Sequence, residues 1–81
     1  MYDMTLQSQK DNSFYIGFTS NLNQILEYHN SGKSRYTSKK MPWKVVYTEK
    51  FEIRSEAIRR EKFLKNQKNH EFYMKLIKEK E

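Results

Sequence analysis

Residues 14–30, FYIGFTSNLNQILEYHN, change hydrophobic period partway along, from two to about 3.6, which calls for a strand running directly into a helix. Phe14, Ile16 and Phe18 alternate with Tyr15 and Gly17 as in a strand. A Thr-Ser-Asn turn then leads into an amphipathic helix with Leu22, Ile25 and Leu26 on its apolar face. His29 falls on that same face, which predicts a tyrosine, a glycine gap and a histidine close together. Glycine weakens a strand, so Gly17 predicts that a bulky group, backbone or ligand, comes close beside it.

The flanking segments supply the remaining elements. Tyr2, Met4 and Leu6 alternate with Asp3 and Thr5, a first strand over residues 2–7. The polar stretch 8–13 turns it into an antiparallel hairpin; if Leu6 faces Ser13, Met4 comes opposite Tyr15. The first helix spans about residues 21–31, with Ser20 or Asn21 as cap and Gly32 beyond its end. Residues 31–42 carry Lys33, Arg35, Lys39 and Lys40 with no acid, and read as a polar connection. Pro42 opens a third strand over 43–51, in which Trp43, Val45 and Tyr47 share a face. A second helix over 55–66 takes Ser55 as cap and buries Ala57, Ile58, Glu61 and Leu64. A third over 69–79, capped by Asn69, closes the core with Phe72, Tyr73, Leu76 and Ile77. The expected fold is α+β: a small three-stranded antiparallel sheet flanked by three helices in the order ββαβαα.

Composition narrows the partners. With 81 residues the expectation is a single domain over 1–81, which hides only about 60% of the surface of its unfolded chain and has a thin core. Sixteen Lys and Arg against ten Asp and Glu give a net charge of +6, so the chain is drawn to polyanions, nucleic acid foremost. No apolar run approaches the roughly 20 residues of a membrane span, and residues 1–10 resemble no signal peptide. The absence of cysteine excludes disulfides and thiolate metal sites and makes a reducing cytoplasm the expected location.

The series Tyr15-Ile16-Gly17, His29-Asn30, Ser31 to Thr37, Pro42-Trp43-Lys44 and Arg59-Arg60-Glu61-Lys62 resembles the small stand-alone branch of the GIY-YIG nuclease family over nearly the whole chain. The resemblance implies metal-dependent hydrolysis of DNA phosphodiesters, as in homing endonucleases, restriction enzymes and the incision step of excision repair. It implies Glu61 as ligand of Mg2+ or another divalent cation, Tyr15 as hydrogen-bond partner of the scissile phosphate or its attacking water, and His29 as a catalytic neighbour. From pattern alone, Glu61 reads equally as an edge glutamate paired with Arg60 or Lys65, Tyr15 as a half-buried sheet tyrosine, and His29 as a partner of the helix dipole.

Two positions depart from the family. Its first tyrosine, proposed to take a proton from water, falls at Met4, and its phosphate-holding arginine at Ile25. Neither replacement is a base or a hydrogen-bond donor. Losing one phosphate-facing donor lowers turnover by about 10² to 10³, and losing a general base by roughly 10² to 10⁴. The sequence thus describes a DNA-binding member of the family with impaired hydrolysis; the alternatives are an active Mg-dependent endonuclease and a non-enzymatic interaction domain. Lys33, Arg35, Tyr36, Lys39, Lys40 and Arg59 are the expected DNA contacts, serving sequence-nonspecific or structure-dependent binding, because no helix carries an array of base-reading side chains.

Overall fold

A computed structural model describes residues 1–80. The element order is β1 (Tyr2–Ser8), β2 (Phe14–Thr19), α1 (Leu22–Asn30), a 3-10 turn (Thr37–Lys40), β3 (Trp43–Lys50), α2 (Arg54–Gln67) and α3 (His70–Lys80). The three strands form one antiparallel sheet in the order β2-β1-β3, so the expected α+β layering is present. Because β1 lies in the middle and is covered on both faces, Asp3, Met4, Thr5 and Leu6 are all buried.

Each face carries its own small core. Met4, Leu6 and Trp43 pack with Tyr15, Val45, Met41 and the α1 residues Leu22, Ile25 and Leu26. Ile16, Leu64 and Tyr73 pack with Phe14, Phe72 and Leu76 on the other face, beneath α2 and α3. Fully burying a side chain of this size contributes about 1.5–3 kcal/mol, so each thin cluster depends on every member.

The hairpin is two residues out of the expected register: Leu6 lies opposite Tyr15, and Met4 opposite Gly17. A tight closure is the cause. Ser8 N–H donates to Ser13 O at 2.9 Å, Asn12 N–H to Ser8 O at 3.0 Å, and Asn12 adopts φ 64°. Asp11 Oδ1 accepts from both Ser13 N–H and Ser13 Oγ–H, which holds residues 9–12 as the turn between Ser8 and Ser13. The bulky neighbours that Gly17 admits are side chains of the protein itself. A Cβ there would sit 3.2 Å from Met4 Cε and 3.3 Å from Tyr15 Cε1.

Strand β3 also departs from simple alternation. Thr5 pairs with Tyr47 while Leu6 pairs with Val45, so a bulge at Val46 turns Tyr47 away from the face of Trp43 and Val45. Tyr47 and Glu49 therefore face α2, where the Arg60 guanidinium donates to Glu49 Oε1 at 2.8 Å.

The helix ends refine the expected bounds. Asn21 Oδ1 accepts from Gln24 N–H at 3.0 Å and starts α1, and Gly32, at φ 81°, follows its end. Ser55 is not the cap of α2: the N-cap is Ile53, with no side-chain cap bond, and Ser55 lies inside the first turn. Asn69 Oδ1 accepts from Glu71 and Phe72 N–H groups and caps α3 as expected. Residues 31–42 are more than a polar connection, because they contain the 3-10 turn and the fully buried Thr37. No helix among the described residues is long and apolar enough to cross a membrane.

Candidate functional site

On the α1 face, the expected tyrosine and histidine meet. The rings of Tyr15 and His29 lie 4.7 Å apart between centroids, tilted by 55°. His29 is buried at the end of α1, with Nδ1 2.8 Å from Thr37 Oγ1. Its Nε2 is buried with no hydrogen-bond partner among the described residues. Burial holds the imidazole below its ordinary pKa, so the neutral ring is favoured and the dipole-partner reading of His29 loses its charge.

Thr37 and Asn30 hold this arrangement together. Trp43 Nε1–H donates to Thr37 O at 2.9 Å, while Asn30 accepts from Trp43 N–H at 2.6 Å and donates to Trp43 O at 3.0 Å. The loop that carries the cations is thereby tied to the helix that carries His29. Sequence reasoning gave Thr37 and Asn30 no role. An uncharged threonine between Tyr36 and Ser38 has no periodic signal, and only the fold brings it under His29.

Met4 and Ile25, which the resemblance sets at the family's tyrosine and arginine positions, both belong to the apolar cluster on the α1 face, Met4 buried in it and Ile25 partly buried against it. Met4 is 2% exposed, and its methyl lies over Gly17 beside the Tyr15 ring. The volume beside Tyr15 is therefore filled by carbon, with no hydroxyl or guanidinium.

Glu61 lies across the sheet from Tyr15 and His29. It is buried on the inward stripe of α2 between Ala57 and Leu64, and Leu64 packs on Ile16. Its Oε1 is 2.7 Å from Lys65 Nζ, the i,i+4 pair that the sequence left open. The two halves of the site meet at the outer edge of β2. A cleft of about 220 Å³ there is lined by Phe14, Tyr15, Ile16, Tyr36, Lys65 and Tyr73, residues from both faces. Lys65 thus joins the cleft of Tyr15 to the carboxylate of Glu61, a role that its place in a run of cations concealed.

Asp3 is a further residue that the sequence did not single out. It is fully buried beneath α2, and neither carboxylate oxygen has a hydrogen-bond partner among the described residues. Burial, then the charges of Glu49 and Glu61, push its pKa up from 3.8 to about 6, against the opposing pull of Arg60. Alternation placed Asp3 on the polar side of β1, and only the central position of β1 makes that side interior.

A metal at Glu61 would depend on few protein donors. No group of three or more His, Asp or Glu side chains that could hold a metal converges among the described residues. One carboxylate with water and phosphate oxygens is a donor set that magnesium accepts, so Glu61 fits if Lys65 releases it.

The expected DNA contacts lie mostly on one loop. Lys33, Arg35, Tyr36 and Lys39 are exposed, and Arg59 is exposed on α2. Arg35, Tyr36, Lys39 and Lys40 line a cleft of about 350 Å³. Lys33 lies apart in a neighbouring cleft with Gln24, Glu27, Tyr28 and Ser31. Lys40 is already engaged: its ammonium is 3.3 Å from Asp11 Oδ2 and 5.4 Å from the Tyr36 ring centroid.

A three-stranded sheet flanked by three helices in this order, with the tyrosine of a Tyr-Ile-Gly strand packed against the histidine of the next helix, defines a class of small nuclease-like domain. A model of the GIY-YIG catalytic domain matches residues 5–76, and the chain belongs to the GIY-YIG family. It is similar to a UPF0213 protein of Streptococcus pneumoniae, 40% identical over 60 residues that cover 73% of this chain and 61% of that protein. UPF0213 protein SH2523 of Staphylococcus haemolyticus is 47% identical over 53 residues, covering 64% of this chain and 65% of that one. A UPF0213 protein of Bacillus licheniformis is 39% identical over 70 residues, covering 83% of this chain and 72% of its own. The chain thus spans less than two thirds of the length of the first two relatives. No solved structure matches it.

Proposed function

We propose that this chain binds DNA through the phosphate backbone, using the loop of Lys33, Arg35 and Lys39, and that its phosphodiester hydrolysis is impaired. The observation that carries this reading is that Met4 is buried beside Tyr15 and that Ile25, partly buried, packs against the same apolar cluster. Where the family would present a hydroxyl and a guanidinium, this chain presents core. Tyr15 remains able to hydrogen-bond a phosphate or water at the β2 edge. A divalent cation at Glu61 would supply charge stabilisation at the phosphate. Taking up that cation requires Glu61 to exchange Lys65 for it, which is an added cost to loading.

One observation favours the active alternative. The neutral His29 keeps Nε2 without a partner beside Tyr15 among the described residues, and in the tautomer whose Nδ1–H donates to Thr37 Oγ1 that nitrogen is a proton acceptor.

Nicking of supercoiled DNA in magnesium separates the two. The original chain is expected to nick at the level of its Glu61→Ala variant. The Met4→Tyr/Ile25→Arg double variant is expected to nick faster, with the gain abolished by adding Glu61→Ala. Overpacking at position 4 costs about 1–3 kcal/mol, so thermal melts accompany the assay. Glu61-dependent nicking by the original chain would overturn the impairment. A folded double variant with no gain would remove the claim that only two groups are missing.

A further inference from the structure

We propose that Tyr36 is a stacking platform for an unpaired base, so that the preferred ligand is DNA with a single-stranded segment rather than uninterrupted duplex. This rests on the DNA-binding reading above and names the substrate class for it. Tyr36 is 56% exposed, more than the other exposed aromatic rings, Phe63 at 47% and Tyr28 at 41%. It is the shared wall of two clefts: the basic one formed by Arg35, Lys39 and Lys40, and the β2-edge one that contains Tyr15 and Lys65. A strand passing from one cleft to the other crosses the ring.

The ring is held ready for that contact. Lys40 supports it at 5.4 Å from the centroid and is itself fixed by Asp11 at 3.3 Å and Ser13 Oγ at 3.4 Å. The backbone beneath is anchored by Ser38 N–H to Ser34 O at 2.9 Å and by Thr37, buried next in sequence between His29 and Trp43. A prepositioned aromatic loses little freedom on binding. The charge around it selects the occupant, because Arg35 and Lys39 are exposed and residues 31–42 contain no acid, which suits a polyanion with flat π faces. A duplex hides those faces inside its stack; an unpaired nucleotide offers them.

Fluorescence anisotropy on the whole chain tests this with three DNA ligands of equal phosphate number: a single strand, a blunt duplex, and a duplex with a single-stranded tail. The single strand and the tailed duplex are expected to bind more tightly than the blunt duplex. Tyr36→Ala should weaken those two by about tenfold, while leaving the blunt duplex and the salt slope unchanged. Tyr36→Phe, which keeps the ring, should bind like the original chain. A 2-aminopurine placed in the single strand should be quenched on binding by the original chain and by Tyr36→Phe, and not by Tyr36→Ala. Equal losses on all three ligands, or no loss in Tyr36→Ala, would overturn the platform, as would tighter binding of an RNA strand of the same sequence. If Lys33→Gln/Arg35→Gln/Lys39→Gln abolishes binding while Tyr36→Ala leaves all three affinities unchanged, stacking alone fails. If the original chain binds none of the ligands, the DNA-binding reading fails with it.

Discussion

Asp3 is the residue whose chemistry departs furthest from its surroundings. Its carboxyl has an ordinary pKa of 3.8 and one of about 6 in the fold, so between those values the folded state holds more protons than the unfolded one. Stability from this group is therefore greatest below pH 3.8, falls as the pH rises, and is fully lost above about 6. At neutral pH the burden amounts to about 3 kcal/mol. His29 acts in the opposite sense: its lowered pKa makes acidification below 6.5 destabilising. Asp11, whose pKa is lowered by Ser13, adds stability that is lost as the pH falls below 3.8. Comparing the original chain with Asp3→Asn cancels both. The expected result is a higher melting temperature for Asp3→Asn at pH 7, with the two curves converging toward pH 4. Parallel curves across that range would show that the Asp3 carboxyl is not the source.

The junction of α2 and α3 shows how an element is ended by a side chain from the next one. Tyr73 Oη–H donates to Leu64 O at 2.7 Å and accepts from Lys68 N–H at 3.2 Å, so one hydroxyl ties the last turn of α2 to α3. Lys68 turns the chain at φ 46°, the left-handed region where a Cβ costs roughly 1–2 kcal/mol. Tyr73→Phe is expected to lower stability in urea by about 1–2 kcal/mol, because buried polar groups lose their partner. Lys68→Gly is expected to be neutral or to raise stability by up to about 1 kcal/mol, offset by the greater freedom of glycine in the unfolded chain. A large loss from Lys68→Gly would show that the lysine side chain, rather than the backbone turn, holds the junction. The start of α3 was legible because Asn69 both caps and interrupts. The start of α2 was not, since Ser55 and Glu56 imitate a cap while the helix begins from Ile53 without one.

Across the whole molecule, the net charge of +6 is not evenly available to a partner. Arg60 is held by Glu49, Lys65 by Glu61 and Lys40 by Asp11. Lys33, Arg35 and Lys39 remain exposed on the loop. If these three neutralise three phosphates, the logarithm of DNA affinity should fall against log salt with a slope of about −2.7. Replacing all three by Gln should flatten that slope. An unchanged slope would transfer the binding to α2, where Arg59 and Lys62 are exposed.

The sequence by itself determined which stretches are strands and helices, because hydrophobic period is a local property: the alternation in residues 14–18 and the helical stripe of Leu22, Ile25, Leu26 and His29 stand in the fold as written. It also brought Tyr15 and His29 together, since one short turn joins their elements. Only the tertiary structure decided the rest. Strand order made β1 central and so turned Asp3 from a polar-face residue into a buried one; the bulge at Val46 sent Tyr47 and Glu49 to α2. Hairpin closure placed Met4 over Gly17 instead of Tyr15. Glu61 went to the opposite face from His29, reaching the β2 edge through Lys65, because pairing between segments distant in sequence depends on packing and closure geometry that no local pattern encodes.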